Sequence, residues 1–146
     1  MLLVDNEKLN LKIYVDREPK VAVKSPLSHS KDELKKPYIN KERCIFTLYY
    51  GEEQFVILCE KGYDWDGASI PFGFRWIIGA KGSPQFLIPS MVHDKLCENH
   101  RFVKNDRYLS SIVFRELLLA CGVGKIRANV MFNAVDNFQK ICGGWK

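Results

Sequence analysis

The sequence predicts an α+β fold, with antiparallel strands in the N-terminal half and about three helices packed together in the C-terminal half. Three observations carry this. Short branched-rich runs fill the chain up to Cys59, and helical periodicity fills it from Pro84 onward. Between them lies a turn-rich segment that suits neither period. The longest apolar run, Leu117 to Cys121, falls far short of the ~20 residues of a membrane span. The 146 residues are therefore read as one domain, 1–146, long enough to bury a single core.

Taken in order, Leu11-Lys12-Ile13-Tyr14-Val15 and Val21-Ala22-Val23 read as short strands bounded by charge or proline. From Lys24 to Arg43 the composition turns to Lys, Ser, Asp, Glu and Pro, and residues 24–43 are expected to form a long surface loop or arm. Cys44–Tyr50 and Gln54–Cys59 then make the clearest hairpin. Gly51 at the first central position suits a type II′ turn, whose twist matches the flanking strands. Both faces of the hairpin carry apolar side chains, so cover is expected on both sides. The first helix holds Met91–Cys97, with Pro89 tolerable only in its opening turn. The second runs from about Asp106 to Ala120, has too many apolar residues for one stripe, and ends at Gly122 as a C′ residue. The third spaces Ile126, Val130, Ala134 and Phe138 four apart, flanked by Met131, Val135 and Ile141, as an amphipathic surface helix.

Composition narrows the class. Hydrophobic residues at 47% and charged residues at 27% are those of a folded globular chain rather than a disordered one. The net charge of +5 favours acidic partners without designating any, and no nucleic-acid motif accompanies it. Five cysteines (Cys44, Cys59, Cys97, Cys121, Cys142) are odd in number, widely spaced and without a C-x-x-C pair. They read as small buried hydrophobes in a reducing compartment. The start, Met1-Leu2-Leu3-Val4 followed by Asp5 and Glu7, lacks a secretory pattern, and the expectation is folding in a cytoplasm.

Two segments hold the residues that carry chemistry. One is Gly62-Tyr63-Asp64-Trp65-Asp66-Gly67-Ala68-Ser69-Ile70-Pro71; the other is Val92-His93-Asp94-Lys95-Leu96. Together with Phe114-Arg115-Glu116-Leu117-Leu118 and Gly122-Val123, these resemble the hallmarks of a family of small phage and prophage proteins of unknown function. The resemblance covers Phe55 to Phe138. It implies a phage setting, and from that setting the expectation is a protein made in the cytoplasm of an infected host and then carried in the virion, with other phage structural proteins or a second copy as partners. One departure stands out: family members carry an aspartate three residues before the phenylalanine matched by Phe114, and here that position is Ser111.

Read from the residues, the first segment has two meanings. As structure, Asp66 accepts backbone hydrogen bonds from residues just ahead of it, Gly67 supplies an unusual φ, Ser69 caps the next element and Pro71 stiffens the exit. As a site, Asp66, with Asp64 as a further carboxylate, faces His93 and Asp94, either holding a divalent metal or pairing a histidine base with an orienting acid. His93 and Asp94 are consecutive on a helix, so their side chains diverge by roughly 100° and one faces inward while the other faces sideways. His93 and His100 are ~10.5 Å apart along a continuous helix, too far to share an ion, so a metal needs His93 with carboxylates and water. No phosphate-cradling glycine loop, nucleophile elbow or catalytic Cys-His pattern appears, and no cofactor other than that divalent metal is expected. The aromatic run Phe72, Phe74, Arg75 and Trp76 reads as core or as a protein-docking patch rather than a base-stacking surface. The leading functional expectation is a structural or accessory phage protein acting through protein contacts in the tail or neck. A small hydrolase built on Asp66, His93 and Asp94 is the alternative, and an intracellular binder of a host factor is the third.

Overall fold

A computed structural model of the chain describes residues 1–65, 84–98 and 106–142. Seven strands come first: β1 (Leu2–Asn6), β2 (Leu11–Val15), β3 (Val21–Val23), β4 (Tyr38–Asn40), β5 (Cys44–Tyr50), β6 (Glu53–Cys59) and β7 (Asp64–Trp65). Among the described residues three helices come after them: α1 (Pro84–Glu98), α2 (Asp106–Ala120) and α3 (Lys125–Cys142). The architecture is α+β with antiparallel sheets, as the order of periodicities predicts.

The larger sheet has the order β1-β2-β5-β6 and the smaller β3-β4-β7. Side chains alternate across the larger sheet, and the register lines them into rows. One inner row is Val4–Ile13–Leu48–Phe55, and the next is Val15–Phe46–Ile57. These pack on Leu87, Met91, Val92 and Leu96 of α1 and on Leu109, Ile112, Val113 and Leu117 of α2. The opposite side of α2 presents Phe114 and Leu118 to a second cluster, with Ala128, Met131 and Val135 of α3. Helix α2 is thus enclosed between the sheet and α3, which is why its apolar residues exceed one stripe. It ends as its sequence predicts. Gly122 has φ +92°, Val123 N–H bonds the Leu118 carbonyl (2.9 Å) and Gly122 N–H bonds the Leu119 carbonyl (3.1 Å), the paired bonds of a Schellman motif.

Several expectations are corrected. The stretch 24–43 is exposed over most of its length but not throughout. Lys24, Tyr38 and Asn40 are buried, and β4 inside the stretch forms the centre of the smaller sheet. Pro37 hid it, but a proline immediately before a strand costs no ladder bond. The hairpin is as expected, with Gly51 at φ +63°, yet among the described residues helices cover only one of its faces. Pro89 lies inside α1, beyond the first turn, while Pro84 takes the N-terminal position. The packing of Leu87, Met91 and Val92 on either side of it outweighs the missing backbone bond. In α3 the buried stripe is Ala128, Met131, Ala134 and Val135, which includes the expected Met131, Ala134 and Val135, while Ile126 is 84% exposed. Residues four apart drift by about 40° per step on a 3.6-residue helix, so the row from Ile126 starts in solvent and reaches the core only at Ala134.

Candidate functional site

The candidate site is the flank where β7 and α1 meet, because the segment carrying Asp66 leaves β7 directly after Trp65, and α1 brings His93 and Asp94. Trp65 anchors that flank. Its indole is buried, donates from Nε1 to Ser90 Oγ on α1 (3.1 Å), and lies beside the rings of Tyr38 and Tyr63. Tyr63 stacks on Trp65 with an interplanar angle of 15° and donates its hydroxyl to Glu98 Oε1 (2.8 Å). The Lys95 ammonium sits 4.1 Å from the Tyr63 ring centroid and bonds both carboxylate oxygens of Glu60 at 3.0 Å. Burial, then the Glu98 hydrogen bond and the charges of Glu98 and Asp94, push the Tyr63 phenol well above its ordinary range, so it stays a proton donor.

A second anchor holds β7 from the other side. Lys24, with only 6% of its side chain exposed, donates to Asp64 Oδ2 (2.8 Å) and to the Glu33 carbonyl (3.0 Å). A buried ammonium requires such partners, because desolvation penalises it otherwise.

Helix α1 separates the two residues of its His-Asp pair, as the ~100° step requires. Ser90, Asp94 and Glu98, four residues apart, belong to the β7 side. His93 and Cys97 belong to the α2 side. The His93 ring is fully buried, 5.3 Å from the Phe114 ring, with Cys97 Sγ 3.8 Å from each ring nitrogen. Burial lowers its pKa to about 4, so it is neutral through the physiological range. A histidine enclosed between helices packs as core. Asp94, half-buried, is the member of the pair on the site's side.

Ser111 is fully buried, and its hydroxyl lies 3.0 Å from Asp136 Oδ1 on α3 and 3.1 Å from the Arg107 carbonyl, two acceptors that share its one proton. Arg107 bonds the same carboxylate oxygen. A carboxylate therefore does stand beside this position, contributed by α3.

Of the remaining sequence-predicted positions, Asp66, Gly67, Ser69, Pro71, Phe72, Phe74, Arg75 and Trp76 lie outside the described residues. Among the described residues no three His, Cys, Asp or Glu side chains converge as a metal site. Glu60 and Glu98 escape sequence reasoning, and Tyr63, Trp65 and Lys95 lie in the two hallmark segments without a role assigned there, because β6, β7 and α1 meet only in the fold. The four-residue spacing of Ser90, Asp94 and Glu98 is the available signal.

A second surface is apolar. The outer face of the larger sheet carries the row Leu2–Tyr14–Thr47–Val56 across all four strands. Tyr49, set edge-on to Tyr14 at 5.8 Å, and Leu58 extend it. Val56 is 63% exposed and Leu2, Tyr49 and Leu58 are exposed as well.

These features define a class: a small α+β protein whose larger sheet has helices on one face, with a charged, aromatic-anchored flank beside its first helix. The chain belongs to the family described as "Protein of unknown function (DUF1353)", which matches residues 45–135, more than half its length. No curated protein and no solved structure matches it.

Proposed function

We propose that this protein works by binding other proteins, as a structural or accessory component of a bacteriophage particle. One observation carries the reading: the outer face of the larger sheet holds a continuous apolar patch with no described element over it. Exposed apolar surface organised into adjoining rows is the usual mark of a protein contact, whereas scattered exposed apolar residues are not. The phage setting rests on the resemblance of the hallmark segments, and the mild basic charge accommodates acidic partner surfaces.

The test is quantitative mass spectrometry of gradient-purified particles of the encoding phage, comparing wild type with Tyr14→Lys/Tyr49→Lys. Wild type is expected at a fixed copy number, and the variant is expected to fold normally yet be depleted from particles. Absence of the wild-type chain from particles, or full incorporation of the variant, overturns the proposal.

A second reading, metal-assisted hydrolysis, draws support from Asp94 and Glu98 sharing the side of α1 that faces β7, the strand that leads into Asp66. It requires that a divalent ion raise the melting temperature of wild type and not of Asp94→Asn. Equal melting with metal and with chelator removes it.

A further inference from the structure

The two edges of the larger sheet are built differently. An edge strand exposes unpaired N–H and C=O groups, and proteins protect such edges with bulges, charges or cover. At one edge, β1 has all three. Its register with β2 shifts between Leu2 and Val4, Asp5 is exposed, and α2 packs against it with Glu116 accepting a hydrogen bond from Asn6 Nδ2 (2.6 Å). At the other edge, β6 runs from Glu53 to Cys59 in unbroken register with β5. Helix α1 packs on its inner face, but the strand holds no proline, lysine or bulge, its one charge, Glu53, stands at its end, and its outward side chains Gln54, Val56 and Leu58 are exposed. Among the described residues, nothing bonds the backbone of Gln54, Val56 or Leu58 on the side away from β5.

We propose that β6 pairs antiparallel with β6 of a second copy of this chain about a two-fold axis at Ile57, joining two four-stranded sheets into one. The side chains select both the partner and the register. With Ile57 on the axis, Val56 stands opposite Leu58 of the partner copy twice over, and about four ladder hydrogen bonds close between them. The apolar outer rows of the two copies then run on across the junction. Glu53 of each copy comes near Lys61 of the other, which follows β6 in the turn toward β7. Both are exposed, and among the described residues neither makes an ion pair. Sliding the axis to Val56 instead sets Glu53 opposite Cys59 and carries Lys61 toward Gly51, so the charge pairing is lost. Because β1 is protected, the outer edges of the joined sheet accept no further strand, and assembly stops at two copies.

The dimer rests on the reading of the sheet's exposed surface as a protein contact, and gives its β6 margin one occupant. The test is light-scattering mass and sedimentation of the full chain across protein concentration. Wild type is expected to pass from the 16.9 kDa monomer to twice that mass. Glu53→Lys and Lys61→Glu each place like charges across the junction and are expected to weaken dimerisation about tenfold or more. The double variant Glu53→Lys/Lys61→Glu restores opposite charges and is expected to dimerise as wild type does. A wild-type chain that stays monomeric near millimolar concentration overturns the inference, as does a dimer indifferent to the single reversals. The outcomes separate the two readings: a monomer that still enters particles fails this inference alone, whereas a dimer absent from particles fails the proposed function alone.

Discussion

The two faces of the larger sheet are made from the same strands, yet they obey different rules. The inner face holds Ile13, Phe46, Leu48 and Ile57, all buried against α1 and α2. The outer face holds Tyr14, Tyr49, Val56 and Leu58, also apolar or aromatic but partly open to solvent, with Tyr14 half-buried. Hydrophobicity alone therefore does not say which side of a strand is core. The supply of covering elements decides it, and among the described residues the helices lie on one side only. An apolar face left over in this way carries little of the folding energy and is free to serve association.

Replacing one residue on each face measures that difference directly. Phe46→Ala removes a fully buried ring from the middle of an inner row, and the surrounding helices collapse only partly into the space. A loss of about 3–5 kcal/mol in urea unfolding is expected. Tyr49→Ala on the outer face loses mainly an edge-on contact with Tyr14, and about 1 kcal/mol or less is expected. Comparable losses from both variants would mean that something covers the outer face in the isolated protein.

The contrast recurs on α1, whose two sides hold His93 and Asp94. His93 has an unfolded-state pKa of 6.5 and a folded one of about 4, lowered by burial. As pH falls through 6.5 the unfolded chain gains a proton that the folded chain refuses. Stability is thus full above that pH, declines towards pH 4, and levels off below it. The loss attributable to this one residue is about 3 kcal/mol. Unfolding free energies of wild type and His93→Leu, measured at intervals from pH 7.5 to 4, check this. The difference between their slopes is expected to be close to one proton. Equal slopes would show that His93 protonates in the folded state, and so that solvent reaches it.

Legibility in the sequence divides along the same lines. Leu11–Val15, Val21–Val23 and Asp106–Ala120 have the bounds the residues suggest, because local period and punctuation agree there. Strand β1 escapes notice, since Leu2-Leu3-Val4 running into Asp5-Asn6 has neither clean alternation nor a turn signal; it forms because β2 offers it a ladder. Strand β4 is masked by the charged composition around it. For the candidate site, the divergence of His93 and Asp94 is readable from helical geometry, but which of them faces inward is not. That depends on Phe114 approaching one side of α1 and Trp65 the other. The ladder of Trp65, Tyr63 and Lys95 joins residues from two distant parts of the chain, and no local pattern encodes such a meeting.

The smallest of these contrasts lies between two ion pairs, and it bears on how the 24–43 stretch is tied to β7. Arg17 and Glu42 pair at 3.1 Å with both side chains about half exposed. Water solvates either partner when the other is removed, and Glu42→Ala is expected to cost no more than about 0.5 kcal/mol. Lys24 differs, because its ammonium is enclosed while Asp64 remains partly open to solvent. Asp64→Ala leaves that cation bonded to the Glu33 carbonyl at 3.0 Å, a dipole in place of a charge. About 2 kcal/mol is expected, below the full cost of stripping a deeply buried pair because water reaches Asp64's side. Thermal unfolding of the two variants beside Lys24→Met separates the contributions. The methionine keeps the packing of the stem and removes the enclosed charge, so it is expected to be less damaging than Asp64→Ala. If Lys24→Met proves the worse of the two, the ammonium's bond to Glu33, and not its pairing with Asp64, is what ties the 24–43 stretch to the sheet.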